Sequence, residues 1–350
     1  MKLHTMRSPL RTIDSTSELS AMFADRLVGQ PAAIDAIVPF LQMHKAGLSP
    51  EGRPVGVFML LGPTGTGKTR TVEALAEVLH GSSKKLVKVD CGEFQMEHEV
   101  AKLVGAPPGY LGHRETQPML NQQKLNAACS EKCDLSILLF DEIEKAATSM
   151  TRILLSVLDK ATLRLGDNNT VNFEKTIIFM TSNLGARSIQ KEIRPDFGFE
   201  QFIAKENGDS RNKLQKIGMS AVRRKFSPEF VNRIDCVITY QPLTAESLSS
   251  ILDQHLADLQ DHLDKRLGAR SFRIDVPVKT RRALLKIGTS EEYGARELKR
   301  TLQRLVVQPL AILLSNGKIE PGARVRADIN ETRTKVIIRG QGEDLLEPAC

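Results

Sequence analysis

Gly62-Pro63-Thr64-Gly65-Thr66-Gly67-Lys68-Thr69 follows directly on the apolar run Phe58-Met59-Leu60-Leu61 and precedes a stretch over 70–80 with helical character. The octet satisfies G-x-x-x-x-G-K-[ST] at every specified position. An ordinary glycine-rich turn that happens to carry a lysine would not need a buried strand before it and a helix start behind it. In that setting small residues let the backbone wrap an anion so that successive N–H groups point inward. The following helix begins where phosphates must sit. Lys68 then reaches the β- and γ-phosphates, and the Thr69 hydroxyl ligates Mg²⁺. The stretch predicts a nucleoside triphosphate site.

Working outward, apolar runs at 57–61, 86–89, 137–140, 177–180 and 237–240 alternate with helix-like segments. That rhythm predicts an α/β fold whose mostly parallel sheet is covered on both faces. After Gln241-Pro242-Leu243 the character changes. Thr244 reads as a helix N-cap, followed by amphipathic stretches over 247–266, 279–287 and 296–314. The end returns to strands over 324–329 and 334–339, joined by a turn at Asn330-Glu331. The expected organisation is a polar N-terminal segment (1–17), a large nucleotide domain (18–240), a smaller, mainly helical domain ending in strands (243–340) and a tail (341–350). Residues 195–213, rich in Gly, Asn, Asp and Lys, read as a surface loop.

Composition bounds the function classes. The chain has 350 residues, 41% apolar and 26% charged, ordinary for a globular protein with a sizeable core. No apolar run reaches bilayer-spanning length, and residues 1–17 lack the apolar stretch of a secretory signal, so a cytoplasmic address is expected and no membrane partner. Five scattered cysteines do not form a disulfide framework. Cys129 and Cys133, spaced i,i+4 on an expected helix, have no second His/Cys pair close in sequence and read as incidental thiols rather than a metal site. The net charge of +7 raises nucleic-acid binding. The basic clusters, Arg223-Arg224-Lys225, 279–282 and 299–304, are however not interleaved with aromatics, and Trp is absent. Solvated helix faces or contacts with another subunit explain them better.

The second chemical element is Ile137-Leu138-Leu139-Phe140-Asp141-Glu142, a central strand tipped by two acids. Asp141 can hold Mg²⁺ through its water shell, while Glu142 orients and polarises the attacking water. The third is Phe179-Met180-Thr181-Ser182-Asn183, where an amide at the strand tip can bond the γ-phosphate or the water; a helix-cap role for Asn183 remains open at this level.

Together these pieces resemble AAA+ ATPases, specifically the Clp family of ring-shaped unfoldases, and among them the second ring of the two-ring members. The resemblance runs from about residue 25 to 339. Val28-Gly29-Gln30 is similar to the segment lining the adenine pocket; Lys45-Ala46-Gly47-Leu48 and Arg53-Pro54 precede the phosphate loop as in that family. Asp141-Glu142-Ile143-Glu144-Lys145-Ala146 resembles its Walker B string. Met180-Thr181-Ser182-Asn183-Leu184-Gly185 resembles its sensor-1 string, which implies that role for Asn183. Phe226-Ser227-Pro228-Glu229-Phe230-Val231-Asn232-Arg233 is similar to the segment ending in an arginine finger. Arg233 is thereby expected at a neighbouring subunit's nucleotide, where such a residue is worth about 10³–10⁵ in rate. Tyr293-Gly294-Ala295-Arg296 resembles the sensor-2 motif, implying that Arg296 reaches the γ-phosphate, and Ile251 is expected over the adenine.

Gly105-Ala106-Pro107-Pro108-Gly109-Tyr110-Leu111-Gly112 resembles the family's pore loop. Tyr110, with Leu111, would grip any polypeptide by side-chain contact, without sequence readout. The chain departs from the family directly afterwards, at His113-Arg114-Glu115-Thr116-Gln117-Pro118, and around 164–169, where a second pore-facing loop is expected. Phe197-Gly198-Phe199 resembles the tripeptide that protease-partnered Clp ATPases dock into ClpP, with Phe unusual at the first position. An N-terminal adaptor-binding domain, a first ring and a coiled-coil insertion are not seen in this sequence.

The resemblance implies a single-ring homo-oligomer, hexameric with nucleotide, that uses ATP and Mg²⁺ to thread protein substrates, with a ClpP-like protease as an expected partner. Two other classes stay open: a nucleotide-dependent remodeller or switch acting on one partner without threading, and a nucleic-acid remodeller.

Overall fold

The computed structural model describes residues 16–105, 118–186, 188–189, 208–289, 294–330, 336–340 and 343–344. They fall into two compact units, one comprising the described residues up to 63 and from 67 to 241, the other those from 242 onward together with the phosphate-loop tip, 64–66.

The strands, in chain order, are β1 (Gly56–Leu61), β2 (Val87–Asp90), β3 (Ser136–Asp141), β4 (Thr162–Arg164), β5 (Thr170–Asn172), β6 (Thr176–Ser182), β7 (Cys236–Thr239), β8 (Arg273–Asp275), β9 (Arg324–Ile329), β10 (Val336–Gly340) and β11 (Glu343–Asp344). In the first unit five of them form an all-parallel sheet in the order β2-β3-β6-β1-β7. Every residue of β1 and β6 is buried, which is why these segments read as continuous apolar runs rather than alternating ones. Alternation instead sorts the two faces. Val57, Met59, Leu138, Phe140, Ile178 and Met180 pack with the helix Thr148–Lys160 and with Val222, Phe226 and Phe230. Phe58, Leu60, Ile137, Leu139, Ile177 and Phe179 pack against the helices Thr16–Ala24, Pro31–Lys45 and Lys68–His80. Phe58 and Phe179 stack at 5.2 Å across the β1–β6 pair.

The second unit contains the helix Ala245–Leu267, N-capped by Thr244, whose hydroxyl accepts from Ser247 N at 3.1 Å. The helix Val278–Gly288 follows, and then the helical stretch beginning at Ala295. A four-stranded sheet in the order β11-β10-β9-β8 covers a core of Leu252, Phe272, Leu284, Leu298, Val306 and Ile338. The expected terminal hairpin is present as the antiparallel β9–β10 pair, but β8 extends it in parallel.

Two readings need correction. Residues 208–213 are not loop: they begin the helix Gly208–Lys225, where Leu214 and Val222 are buried and anchor the segment by packing. Residues 195–207 lie outside the described residues. The stretch expected over 296–314 is helical throughout, running as Ala295–Leu302, a π-helical turn Gln303–Val307 and Gln308–Ser315. Pro309, which has no N–H to give the carbonyl four residues back, stands just behind the wide turn. Cys129 is not on a helix with Cys133. The helix Gln122–Ala128 ends before it, and a Ser130–Cys133 bridge turns the chain. Around the expected second pore-facing loop, β4 and β5 form a hairpin whose turn holds Asn168 at φ 69°.

Replacing Phe179 by Ala removes a fully buried ring from the middle of the sheet and should cost about 3–5 kcal/mol of stability. A denaturant titration that shifted by less than 1 kcal/mol would contradict this account of the core.

Candidate functional site

The C-terminal ends of β1, β3 and β6 converge, as parallel topology requires, and each ends in a segment singled out in the sequence. From β1 the chain turns at Gly62, with φ 147°; a Cβ there would stand 2.8 Å from the carbonyl oxygen of Tyr240. Gly67, at φ 102°, is the left-handed N-cap of the helix Lys68–His80. The loop is therefore glycine-dependent at its entry by crowding and at its exit by backbone conformation. Tyr240 supports both ends. Its N–H donates to Leu61 O at 2.7 Å, and its hydroxyl lies 2.6 Å from that of Thr71, which itself bonds Gly67 O at 3.0 Å. Burial raises the Tyr240 pKa, so the phenol stays protonated. Sequence reading missed Tyr240 as a support, though its place as the last residue of the 237–240 run was visible.

Lys68 is 8% exposed, and its ammonium donates to Gly62 O at 2.7 Å, Pro63 O at 2.8 Å and Asn183 Oδ1 at 2.9 Å. The Asn183 amide reaches in the other direction as well: Nδ2 donates to Glu142 Oε1 at 3.2 Å. Its backbone N–H donates to Glu144 Oε1 at 3.0 Å. The side chain thus spans the phosphate-loop lysine and the second acid of β3, and the helix-cap alternative for Asn183 is corrected. Glu142 sits at φ 57°, ψ 50°, and its other oxygen pairs with Lys145 at 2.5 Å.

Asp141 Oδ1 accepts from Thr181 at 2.5 Å and lies 3.4 Å from Thr69 Oγ1, while Oδ2 pairs with Lys88 at 2.7 Å. Burial pushes this carboxyl up, but the hydrogen bonds and charge of Lys88 and the Thr181 hydroxyl outweigh it, and its pKa falls below the ordinary value. Thr69 and Asp141 thus present a hydroxyl and an ionised carboxylate side by side, an oxygen donor set suited to Mg²⁺. Thr181 is a joint that sequence reading passed over. Its hydroxyl donates to Asp141 and accepts the Glu142 N–H at 3.0 Å, so one side chain orients both acids. Its position two residues before Asn183 was the available signal.

Beside the loop strand, at the outer edge of β7, lies a cavity of about 250 Å³. Gly29, Gln30, Pro31, Cys236, Val237 and Thr239 are among its lining residues, whereas Val28 is not. Thr239 Oγ1 is buried there without a hydrogen-bond partner. A largely apolar slot with an orphaned hydroxyl fits a nucleobase, and the glycine-framed loop with Lys68 fits its phosphates.

The structure describes three more of the expected residues. Arg233 pairs with Asp159 at 3.0 Å. Arg296 is exposed on the helix Ala295–Leu302, and Ile251 packs partly buried against the second unit's core. Tyr110, Leu111, residues 113–117, Phe197, Gly198 and Phe199 lie outside the described residues. Among those described, no group of three or more His, Cys, Asp or Glu could by itself hold a metal, and no helix is long and apolar enough to cross a membrane.

A parallel sheet of this order, with a phosphate loop after β1, paired acids after β3 and a polar sensor after β6, defines a P-loop nucleotide-binding module. Comparison with known proteins specifies it further. Residues 53–237 match the family described as AAA domain (Cdc48 subfamily), and residues 243–327 match the C-terminal, D2-small domain of ClpB protein. The chain belongs to the AAA+ ATPases of the Clp type. It is 37% identical over 306 residues to the chaperone protein ClpB of Aquifex aeolicus, covering 87% of this chain and 29% of that protein. It is 34% identical over 346 residues to the ATP-dependent Clp protease ATP-binding subunit ClpC of Staphylococcus aureus, covering 97% and 40%. A closed-state cryo-EM reconstruction of Hsp104 with ATPγS and FITC casein superposes with a TM-score of 0.76 at 25% identity, over 95% of this chain and 54% of that one. The chain therefore spans less than half the length of these two curated relatives.

Thr181→Val should lower ATP turnover about tenfold or more while leaving the fold intact, because both acids lose their shared anchor. Thr181→Ser should restore most of it. Equal turnover in the Val variant, measured by steady-state phosphate release, would remove Thr181 from the site.

Proposed function

We propose that this module hydrolyses ATP and couples hydrolysis to the mechanical handling of polypeptides within a ring of identical subunits. The observation that carries the reading is the Asn183 amide bridging Lys68 and Glu142, because it links the group that meets the γ-phosphate to the group that activates water. Lys68 and the loop N–H groups bind the phosphates. Thr69 and Asp141 hold Mg²⁺, which when bound offsets charge on the phosphate oxygens. Glu142 polarises the attacking water, and Asn183 fixes its orientation.

Arg233 acts in trans. Its side chain is half-buried and pairs with Asp159 of its own subunit rather than with Asp141 or Glu142, which is compatible with donation to a neighbour's nucleotide. Arg296, exposed near the start of its helix, acts as the γ-phosphate sensor of the smaller domain (243–340), and the cavity lined by Gln30 and Thr239 takes the base. Assembly into a hexamer and a cytoplasmic location belong to the same reading.

Tyr110 and Leu111 are proposed to grip substrate in the ring's channel, on the strength of their glycine-flanked string. The printed names of the relatives, a chaperone and a Clp-protease ATP-binding subunit, support protein substrates. Docking to a ClpP-like protease through Phe197-Gly198-Phe199 rests on that tripeptide and on the name of the Staphylococcus relative.

Glu142→Gln should retain nucleotide binding yet hydrolyse about 10²–10⁴-fold more slowly. Near-normal turnover would remove Glu142 from its role. Tyr110→Ala should keep basal hydrolysis and lose unfolding of a tagged model protein; unchanged unfolding would discard the threading mechanism.

A further inference from the structure

The outer face of the second unit's sheet carries a charge arrangement that folding alone does not favour. Along β9 the buried residues Val325, Ala327 and Ile329 alternate with the outward-facing Arg324, Arg326 and Asp328. In register, Arg273 of β8 stands beside Arg324, and Arg339 of β10 stands opposite Arg326. Like charges directly across a strand pair are destabilising. Here two such pairs sit side by side on one exposed face.

Neutralisation within the face is incomplete. Asp328 is shared, 3.2 Å from Arg326 and 3.9 Å from Arg339. Arg273 reaches Asp264 at 3.5 Å and is still 68% exposed. Arg324 has no acidic partner among the described residues, and the Asp275 side chain, beside Arg326, makes no ion pair or hydrogen bond among them. These side chains line an open trough of about 1080 Å³. The free edge of β8 is closed to strand addition, because Gln260 donates to Phe272 O at 2.9 Å and accepts from Ile274 N at 3.0 Å. An occupant must therefore lie over the face.

We propose that this sheet face docks an extended acidic segment of a partner protein. Two features select that occupant. Arg324 and Arg326, two positions apart on β9, stand about 6.6–6.8 Å apart along the strand, the spacing of alternate side chains in an extended chain, so two carboxylates at alternate positions of an extended partner meet both arginines in register. Asp275 stands among the arginines with its carboxylate engaged by no described side chain, an acceptor for N–H donors from whatever covers it. A polypeptide backbone supplies such donors, whereas a DNA phosphodiester backbone presents acceptors alone and would meet Asp275 as a like charge. Nor does the trough offer an aromatic ring for base stacking. The inference does not depend on the ATPase reading, since none of these residues lies in the first unit.

The test is fluorescence anisotropy of the full chain with a labelled octapeptide of alternating Ala and Glu. The wild type should bind it at low salt, and the double variant Arg324→Gln/Arg326→Gln should bind about tenfold or more weakly. ATP turnover should stay unchanged, and the thermal midpoint unchanged or raised, since relief of both like-charge pairs separates lost docking from lost folding. Absence of wild-type binding, or equal binding by the variant or by the Ala-Lys octapeptide, would overturn the proposal. Tighter binding of single-stranded DNA would make the face a nucleic-acid surface instead. Loss of self-association in the variant would make it a contact between copies of this chain.

Discussion

A lysine ammonium held almost out of water must be met by oxygen acceptors, and the site is arranged around that requirement. Lys68 sits at the tip of a sheet whose central strands carry no exposed residue, where an unpaired charge would be expensive. Two loop carbonyls and the Asn183 amide meet it. Because the amide has a second end, satisfying the lysine also fixes the distance from the phosphate loop to Glu142. Thr181 does the same for the two acids, tying the Asp141 side chain to the Glu142 backbone. Two short polar side chains on β6 and its extension thus set the geometry of groups contributed by β1 and β3.

Much of this was legible in the sequence. The strands of the large sheet announced themselves because burial on both faces removes any need for polar alternation, so 57–61, 137–140 and 177–180 stand out as uninterrupted apolar runs. The tips were legible because each abruptly becomes polar or glycine-rich. What escaped reading depends on tertiary partners. β8 is three residues long and exists because β9 and Gln260 satisfy its backbone. The β4–β5 hairpin is likewise too short to carry a periodic signal. Tyr240 looked like the end of a strand; only the fold shows its carbonyl under Gly62 and its hydroxyl against Thr71. The loop reading of 208–213 failed because polar composition was weighed without the buried contacts that follow it in the same helix.

The two units divide the physics between them. The first buries charge and organises it around a nucleotide site. The second exposes charge on a sheet where the register sets arginine beside arginine, a disposition that has no counterpart in the apolar sheet of its neighbour.

The central claim is that Asn183 acts through Glu142 rather than independently of it. A double-mutant cycle in the ATP turnover rate, using Asn183→Ala, Glu142→Gln and both together, tests this most directly. The account predicts strong non-additivity, with the double variant within about threefold of Glu142→Gln alone. Losses that simply multiply would mean that the amide and the carboxylate work separately, and the bridge seen here would not be the organising contact.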